Sequence, residues 1–150
     1  MTLREYRSKR DFTKTVEPRG DAVTNTVGVR FVVQEHQAKR LHWDLRLEMD
    51  GVLRSWAVPK SPPVTAGVKR LAIRVEDHPL AYATFEGRIP DGEYGAGTVK
   101  IWDEGTYEAT KVTEGKIMLV FHGEKLRGPY VMIKTKFTED SWLLFKMKGG

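Results

Sequence analysis

From Val29 onward, apolar and polar side chains alternate with a period of two in short runs that Gly, Pro and Asp interrupt. This spacing predicts β-strands, because successive strand side chains point to opposite faces. The runs cover 29–35, 42–49, 52–58, 71–76, 97–102, 106–111, 116–121, 128–134 and 142–147, and they are rich in Val, Ile, Leu, Trp and Tyr. Asp50-Gly51 predicts a two-residue hairpin, and Asp103-Glu104-Gly105 predicts a second tight turn. Segments 60–63 and 89–97 read as loops. No run shows the length and period of an amphipathic helix. The expected class is mostly β, a small barrel or sandwich, and closure into an antiparallel β-barrel of about eight strands would remove exposed edges.

Residues 1–28 break the pattern. They hold few large apolar groups and the turn signal Glu17-Pro18-Arg19-Gly20-Asp21, while Arg4, Arg7, Lys9, Arg10, Lys14 and Arg19 outnumber Glu5, Asp11 and Glu17. They read as a basic, partly flexible N-terminal arm, with 3–10 able to form one helical stretch. Residues 29–150 read as a single barrel domain.

Composition narrows the class of function. A chain of 150 residues can bury a core without disulfides or structural metal, and it contains no cysteine. That excludes a disulfide scaffold, a Cys-ligated zinc site, an iron–sulfur cluster and a thiol nucleophile. No apolar run approaches the ~18 residues of a membrane span, and the first residues lack the apolar stretch of a secretory signal. The expectation is a soluble cytoplasmic protein without a membrane partner. A formal charge of +5 and a pI of about 9.5 put nucleic acid first among anionic partners.

The informative segment is 34–48, QEHQAKRLHWDLRLE. Trp43, Leu45 and Leu47 fall on one face, and His42, Asp44, Arg46 and Glu48 on the other. With a turn at Asp50-Gly51, Ser55 lies opposite Arg46 and Ala57 opposite Asp44, and these small neighbours leave room above the stripe. His42 and Asp44 are about 7 Å apart along the strand, near enough to converge on one cation. His36 lies roughly 20 Å from His42 in a straight chain, so it joins them only if 37–40 turns. Two imidazoles and a carboxylate suit Mn, Fe, Co or Zn, with positions left open for water and substrate. An ordinary solvent face produces the same alternation.

Arg46 either extends its guanidinium over a phosphate or forms a salt bridge to Glu48 or to a neighbouring strand. His78, held extended by Pro79, sits at a strand mouth, where it would protonate a leaving oxygen or stabilise charge on a phosphorane, with Tyr82 assisting. His122 receives no role, and Trp102 and Trp142 read as core. Gly92, Gly95 and Gly97 have no GK[ST] after them and read as turn glycines. Two other classes stay open: a noncatalytic single-stranded nucleic-acid-binding barrel, and a nonheme iron oxygenase that uses His42 and Asp44 with His78 or His122.

The string 34–48, with Glu76-Asp77-His78-Pro79-Leu80, Phe85-Glu86-Gly87-Arg88-Ile89-Pro90, Gly92, Tyr94, Gly95, Gly97 and Ile101-Trp102-Asp103, closely resembles the 3′-phosphoesterase domain of bacterial and archaeal DNA ligase D. Tyr6-Arg7, 9–12 and 15–18 are similar to that family's start, so the resemblance runs from the arm to the last strand. It implies a small β-barrel and manganese-dependent trimming of DNA 3′ ends in end-joining repair, with Co or Zn as other ions. A diesterase step would remove a terminal ribonucleoside, and a monoesterase step would convert a 3′-phosphate to a hydroxyl. Matched position by position, the metal ligands would be His36, His42 and Asp44, and the phosphate contacts Arg46 and His78. Further functional positions would be Arg10, Asp11 and Glu17 in the arm and Arg70, Glu76 and Tyr82 near the groove. The implied partners are primer–template 3′ ends, a ligase and polymerase, and the Ku end-binding protein, in a nucleoid-associated setting. Family members are often one module of a longer polypeptide, so a free-standing enzyme and an excised piece are both expected forms.

Overall fold

In the computed structural model the described residues are 29–90, 92 and 96–148. The expected arm, with Arg10, Asp11 and Glu17, lies outside them. Nine strands follow in order: β1 Val29–Gln37, β2 Leu41–Met49, β3 Val52–Val58, β4 Lys69–His78, β5 Gly87–Ile89, β6 Gly97–Thr113, β7 Lys116–His122, β8 Arg127–Lys134 and β9 Ser141–Lys146. They pair in the order β1-β2-β3-β4-β9-β8-β7-β6, and β6 pairs back onto β1. The result is a closed antiparallel barrel of eight strands, as the alternation predicts. Strand β5 is an addition, hydrogen-bonded to the start of β6.

Every second residue of the ring points inward. Phe31, Leu45, Trp56, Ala72, Tyr107, Phe121, Tyr130 and Leu144 are buried in one cluster, and each large apolar side chain contributes roughly 1.5–3 kcal/mol through lost water contact. A second, smaller cluster sits outside the ring. There a turn of 3-10 helix at Leu80–Thr84 lays Leu80, Tyr82 and Ala83 against Val32 and Leu53 on the outer faces of β1 and β3. This cover gives the outer wall a sheltered strip.

Asp50 and Gly51 both adopt positive φ, 56° and 84°, as a two-residue hairpin turn demands. The turn fixes the expected register, with Arg46 opposite Ser55 and Asp44 opposite Ala57. The turn expected at 103–105 is absent. β6 runs unbroken from Gly97 to Thr113, and the Asp and Gly there serve other ends. The Asp103 carboxylate accepts the backbone N–H groups of Glu124, Lys125 and Leu126 at 2.8–3.0 Å. Gly105 lies so close to the neighbouring chain that an added Cβ would stand 2.3 Å from the His122 carbonyl oxygen. Strand β5 was not among the expected strands and ends at Ile89, the first residue of a stretch expected to be loop, because three residues are too few to show a period.

Asp103 is 5% exposed, so removing its carboxylate strands several backbone donors. Asp103→Ala is expected to lower unfolding free energy by about 3 kcal/mol in urea, with Asp103→Asn recovering part of the loss. A change below about 0.5 kcal/mol would contradict this anchoring role.

Candidate metal centre

The β1–β2 hairpin brings His36 to His42. Its last rungs pair His36 with His42 and Gln37 with Leu41, so 38–40 make the turn that the sequence required. The two imidazole centroids are 4.8 Å apart. Gly97 holds this tip in place at a φ of 136°, where an added Cβ would lie 2.1 Å from the Gln37 carbonyl oxygen. No other residue fits that approach.

Asp44 is next to His42 on the outer face and is 6% exposed. Its carboxylate lies 3.6 Å from His36 Nδ1, 3.3 Å from His42 Nε2 and 3.5 Å from an Arg46 nitrogen. One ligand atom from each of His36, His42 and Asp44 falls within 4.8 Å of the others, so this group can hold a metal ion. His42 Nδ1 lies 3.1 Å from the Arg40 carbonyl oxygen. Donation of that N–H leaves the Nε2 lone pair facing the cluster, the arrangement a metal-binding imidazole needs. The donor set of two nitrogens and one oxygen suits a divalent transition ion.

Arg46 does not pair with Glu48, which instead accepts the Arg30 backbone N–H at 3.1 Å. Its Nε donates to the Gln34 side-chain oxygen at 2.6 Å, and Nη1 donates to Ser55 Oγ at 2.8 Å. The Gln34 amide in turn donates to the carbonyls of Tyr82 and Phe85 at 2.8 and 3.1 Å. The guanidinium also lies 4.9 Å from the centre of the Tyr82 ring. Gln34 and Ser55 were not expected as site residues. The outward alternation Val32, Gln34, His36 on β1 was the signal that could have found Gln34.

His78 reaches the same face through a bulge. Between β3 and β4, Ser55 pairs with Val75 but Leu53 pairs with His78, so β4 carries one extra residue and His78 turns outward with Val75. Its Nδ1 lies 3.2 Å from Arg46 Nη1 and 3.1 Å from the Glu76 carbonyl. With Nδ1 accepting from Arg46, Nε2 bears the proton; with Nδ1 donating to Glu76, Nε2 bears a lone pair. The Tyr82 ring packs 5.0 Å away.

A groove of about 510 Å³ opens over this face, and His36, His42, Asp44, Arg46, His78 and Tyr82 all line it. Glu76 lines it too. Arg70 is not among the lining residues, and its Nε donates to the Ser61 carbonyl at 2.9 Å. His122 pairs with Glu108 at 2.8 Å and does not join His42 and Asp44.

Charge in the groove follows from these contacts. Burial pulls the Asp44 carboxyl upward, but the His42 hydrogen bond and the charges of Arg46, His42 and His36 outweigh it and hold it below its usual value. The Asp44 hydrogen bond raises His42 above its ordinary 6.5 despite partial burial. Burial, aided by Arg46, lowers His78 below 6.5, and burial raises the Tyr82 phenol. At neutral pH His78 is therefore a neutral imidazole and Tyr82 a neutral phenol.

The model of the DNA ligase D 3′-phosphoesterase domain matches residues 34–134, the span that holds the whole cluster. The chain belongs to this family. It is 51% identical, over 98% of its length, to the multifunctional non-homologous end joining DNA repair protein LigD of Mycobacterium tuberculosis. It is 48% identical over 97% of its length to the LigD of Mycolicibacterium smegmatis, and 47% identical over 99% to that of Pseudomonas aeruginosa. The chain spans about a fifth of the length of these relatives. The family is one of phosphoesterase domains, and the relatives that carry it are named as end-joining proteins. Among the described residues, no helix is long and apolar enough to cross a membrane.

The two histidines titrate in opposite senses. His42, raised, contributes stability that is present below pH 6.5 and is lost as pH rises through its folded value; His78, lowered, contributes stability present above pH 6.5 and lost as pH falls through its folded value. Imidazole NMR signals of the metal-free protein, followed from pH 8 to 5, are expected to show His42 titrating above 6.5 and His78 below it. The reverse order would contradict this electrostatic arrangement.

Proposed function

We propose that this domain trims DNA 3′ ends in a manganese-dependent reaction, removing a terminal ribonucleoside as a phosphodiesterase and a 3′-phosphate as a phosphomonoesterase, to leave a 3′-hydroxyl. The observation that supports this most is the meeting of His36, His42 and Asp44 with Arg46 and His78 on one groove wall. A cation site beside a buried guanidinium is a receptor for a phosphate.

His36, His42 and Asp44 would hold the ion. When bound, it supplies positive charge for the phosphate and acidifies water. Arg46 offers N–H groups to the nonbridging oxygens, and the fixed acceptors Gln34 and Ser55 aim its plane. His78, neutral at working pH, donates from Nε2–H when Arg46 occupies Nδ1, and steadies charge on the phosphoryl group or the departing oxygen. Tyr82, protonated, fixes the imidazole's orientation through ring contact. The terminal ribonucleotide is distinguished by its 2′-hydroxyl. Glu76 borders the groove, and Arg70 would contact the bound strand, a role that the family resemblance extends to Arg10, Asp11 and Glu17. Cobalt or zinc would substitute for manganese at a site of this composition.

The substrates are primer–template 3′ ends, and the setting is cytoplasmic, at broken ends on the nucleoid. The relatives are named as end-joining proteins, and the partners this reading assigns are a DNA ligase, a polymerase and the Ku end-binding protein.

The test is a 5′-labelled primer on a template, ending in one ribonucleotide or in a 3′-phosphate and incubated with each divalent ion. Manganese is expected to yield 3′-hydroxyl products from both. His42→Ala is expected to lower both rates at least 100-fold, with an unchanged circular dichroism spectrum. Normal manganese-dependent turnover by that variant would contradict the assignment.

A further inference from the structure

The groove has two unlike ends. At the β1–β2 tip, Ala38 lines it beside Lys39 and Arg40, both exposed, and exposed Lys60 follows β3 two residues after Val58, which pairs with Trp43 near the start of β2. On the side away from the tip the walls are Val75, level with Arg46 through Ser55, Tyr82 against the Arg46 guanidinium, and the exposed Glu76. Among the described residues that line the groove, Arg46 is the single Lys or Arg. Cationic side chains therefore cluster at the tip, and a carboxylate marks the far end.

A strand that ends in a ribonucleotide is just as asymmetric. Upstream of the scissile phosphate it carries one negative charge per nucleotide; downstream, the single nucleoside to be released carries none. Coulomb energy draws the polyanion toward Lys39, Arg40 and Lys60 and away from Glu76, where an uncharged group meets no repulsion. We infer that the groove is directional: the primer strand runs over the β1–β2 tip, and the nucleoside to be removed rests against Val75 and Tyr82 at the Glu76 end. Resting on the phosphoesterase reading, this adds a subsite and a polarity to it.

Side-chain chemistry agrees with that occupant. Val75 pairs with Ser55 on the rung next to Arg46 and presents apolar surface without a donor or acceptor. Ala57, two residues on from Ser55 along β3 and opposite Asp44, also lines the groove and is too small to fill the space above. Such a surface accepts any base by contact and reads none, because discrimination between bases requires hydrogen bonds to their edges. Sequence-independent trimming needs that indifference. The two reactions should then depend on this end differently, since a 3′-phosphate has no nucleoside beyond it.

The experiment uses the full chain with manganese and the two labelled primers, one ending in a ribonucleotide and one in a 3′-phosphate. Val75→Trp is expected to lower ribonucleoside removal at least tenfold more than phosphate removal. Lys39→Glu combined with Arg40→Glu is expected to lower both rates by a similar factor. The same double variant should reduce the salt slope of metal-free primer–template binding, read by fluorescence anisotropy, by about one to two. An equal fall of both rates in a folded Val75→Trp protein, or a tip variant that loses ribonucleoside removal alone, would overturn the polarity. If Val75→Trp does not fold, Val75→Met is read by the same ratio. Failure of the unaltered protein to process either primer with any divalent ion would instead sink the phosphoesterase reading, and the salt slope of the tip variant would still judge where the strand lies.

Discussion

A carboxylate that is almost out of contact with water must be surrounded by positive charge and hydrogen-bond donors, or it will not stay ionised. Asp44 is that carboxylate, and the outer wall of this barrel is arranged around it. His36, His42 and Arg46 face its oxygens. Arg46, itself 4% exposed, needs acceptors of its own, which Gln34 and Ser55 provide. Gln34 is fixed by the carbonyls of Tyr82 and Phe85, and Ser55 donates to the Leu53 carbonyl. One buried charge thus ties together β1, β2, β3 and the 3-10 cover. Networks of this kind stabilise folds little, because desolvation offsets most of the Coulomb gain. The network makes better sense as a site whose charges complete themselves with a cation and a phosphate.

The barrel divides its two faces cleanly. Inside, apolar side chains from all eight ring strands supply stability and require nothing of the groove. Outside, regular strand geometry is broken where the site demands it. The extra residue in β4 swings His78 beside Arg46, and Gly97 takes a φ that lets β6 press against the tip bearing His36. Such departures from ideal geometry gather at functional positions because ordinary geometry would aim the side chains elsewhere.

Much of this was legible in the sequence. The period of two and the Asp50-Gly51 turn fix β2 and β3 down to the register of Ser55 and Ala57, because one residue of slip would expose Leu45 and Leu47. The requirement that 37–40 turn, if His36 is to reach His42, follows from strand length alone. Asp103 and Gly105 misled because a carboxylate can cap a distant loop and a glycine can admit a close backbone, and both tasks resemble turn chemistry when only neighbours in sequence are visible. The bulge that aims His78, the partnership of Gln34 with Arg46 and the short strand β5 depend on cross-strand pairing, which leaves no local periodic mark. The roles assigned to Arg10, Asp11 and Glu17 rest on resemblance, since they lie outside the described residues.

The central claim is that His36, His42 and Asp44 share one ion, and paramagnetic manganese reads it directly. In a titration followed by imidazole NMR, the His36 and His42 signals should broaden away first, at less than one ion per chain, while His122, engaged with Glu108, persists. Asp44→Ala should abolish that selectivity. Broadening of His36 and His42 no faster than His122 under excess manganese would contradict a metal centre at this groove.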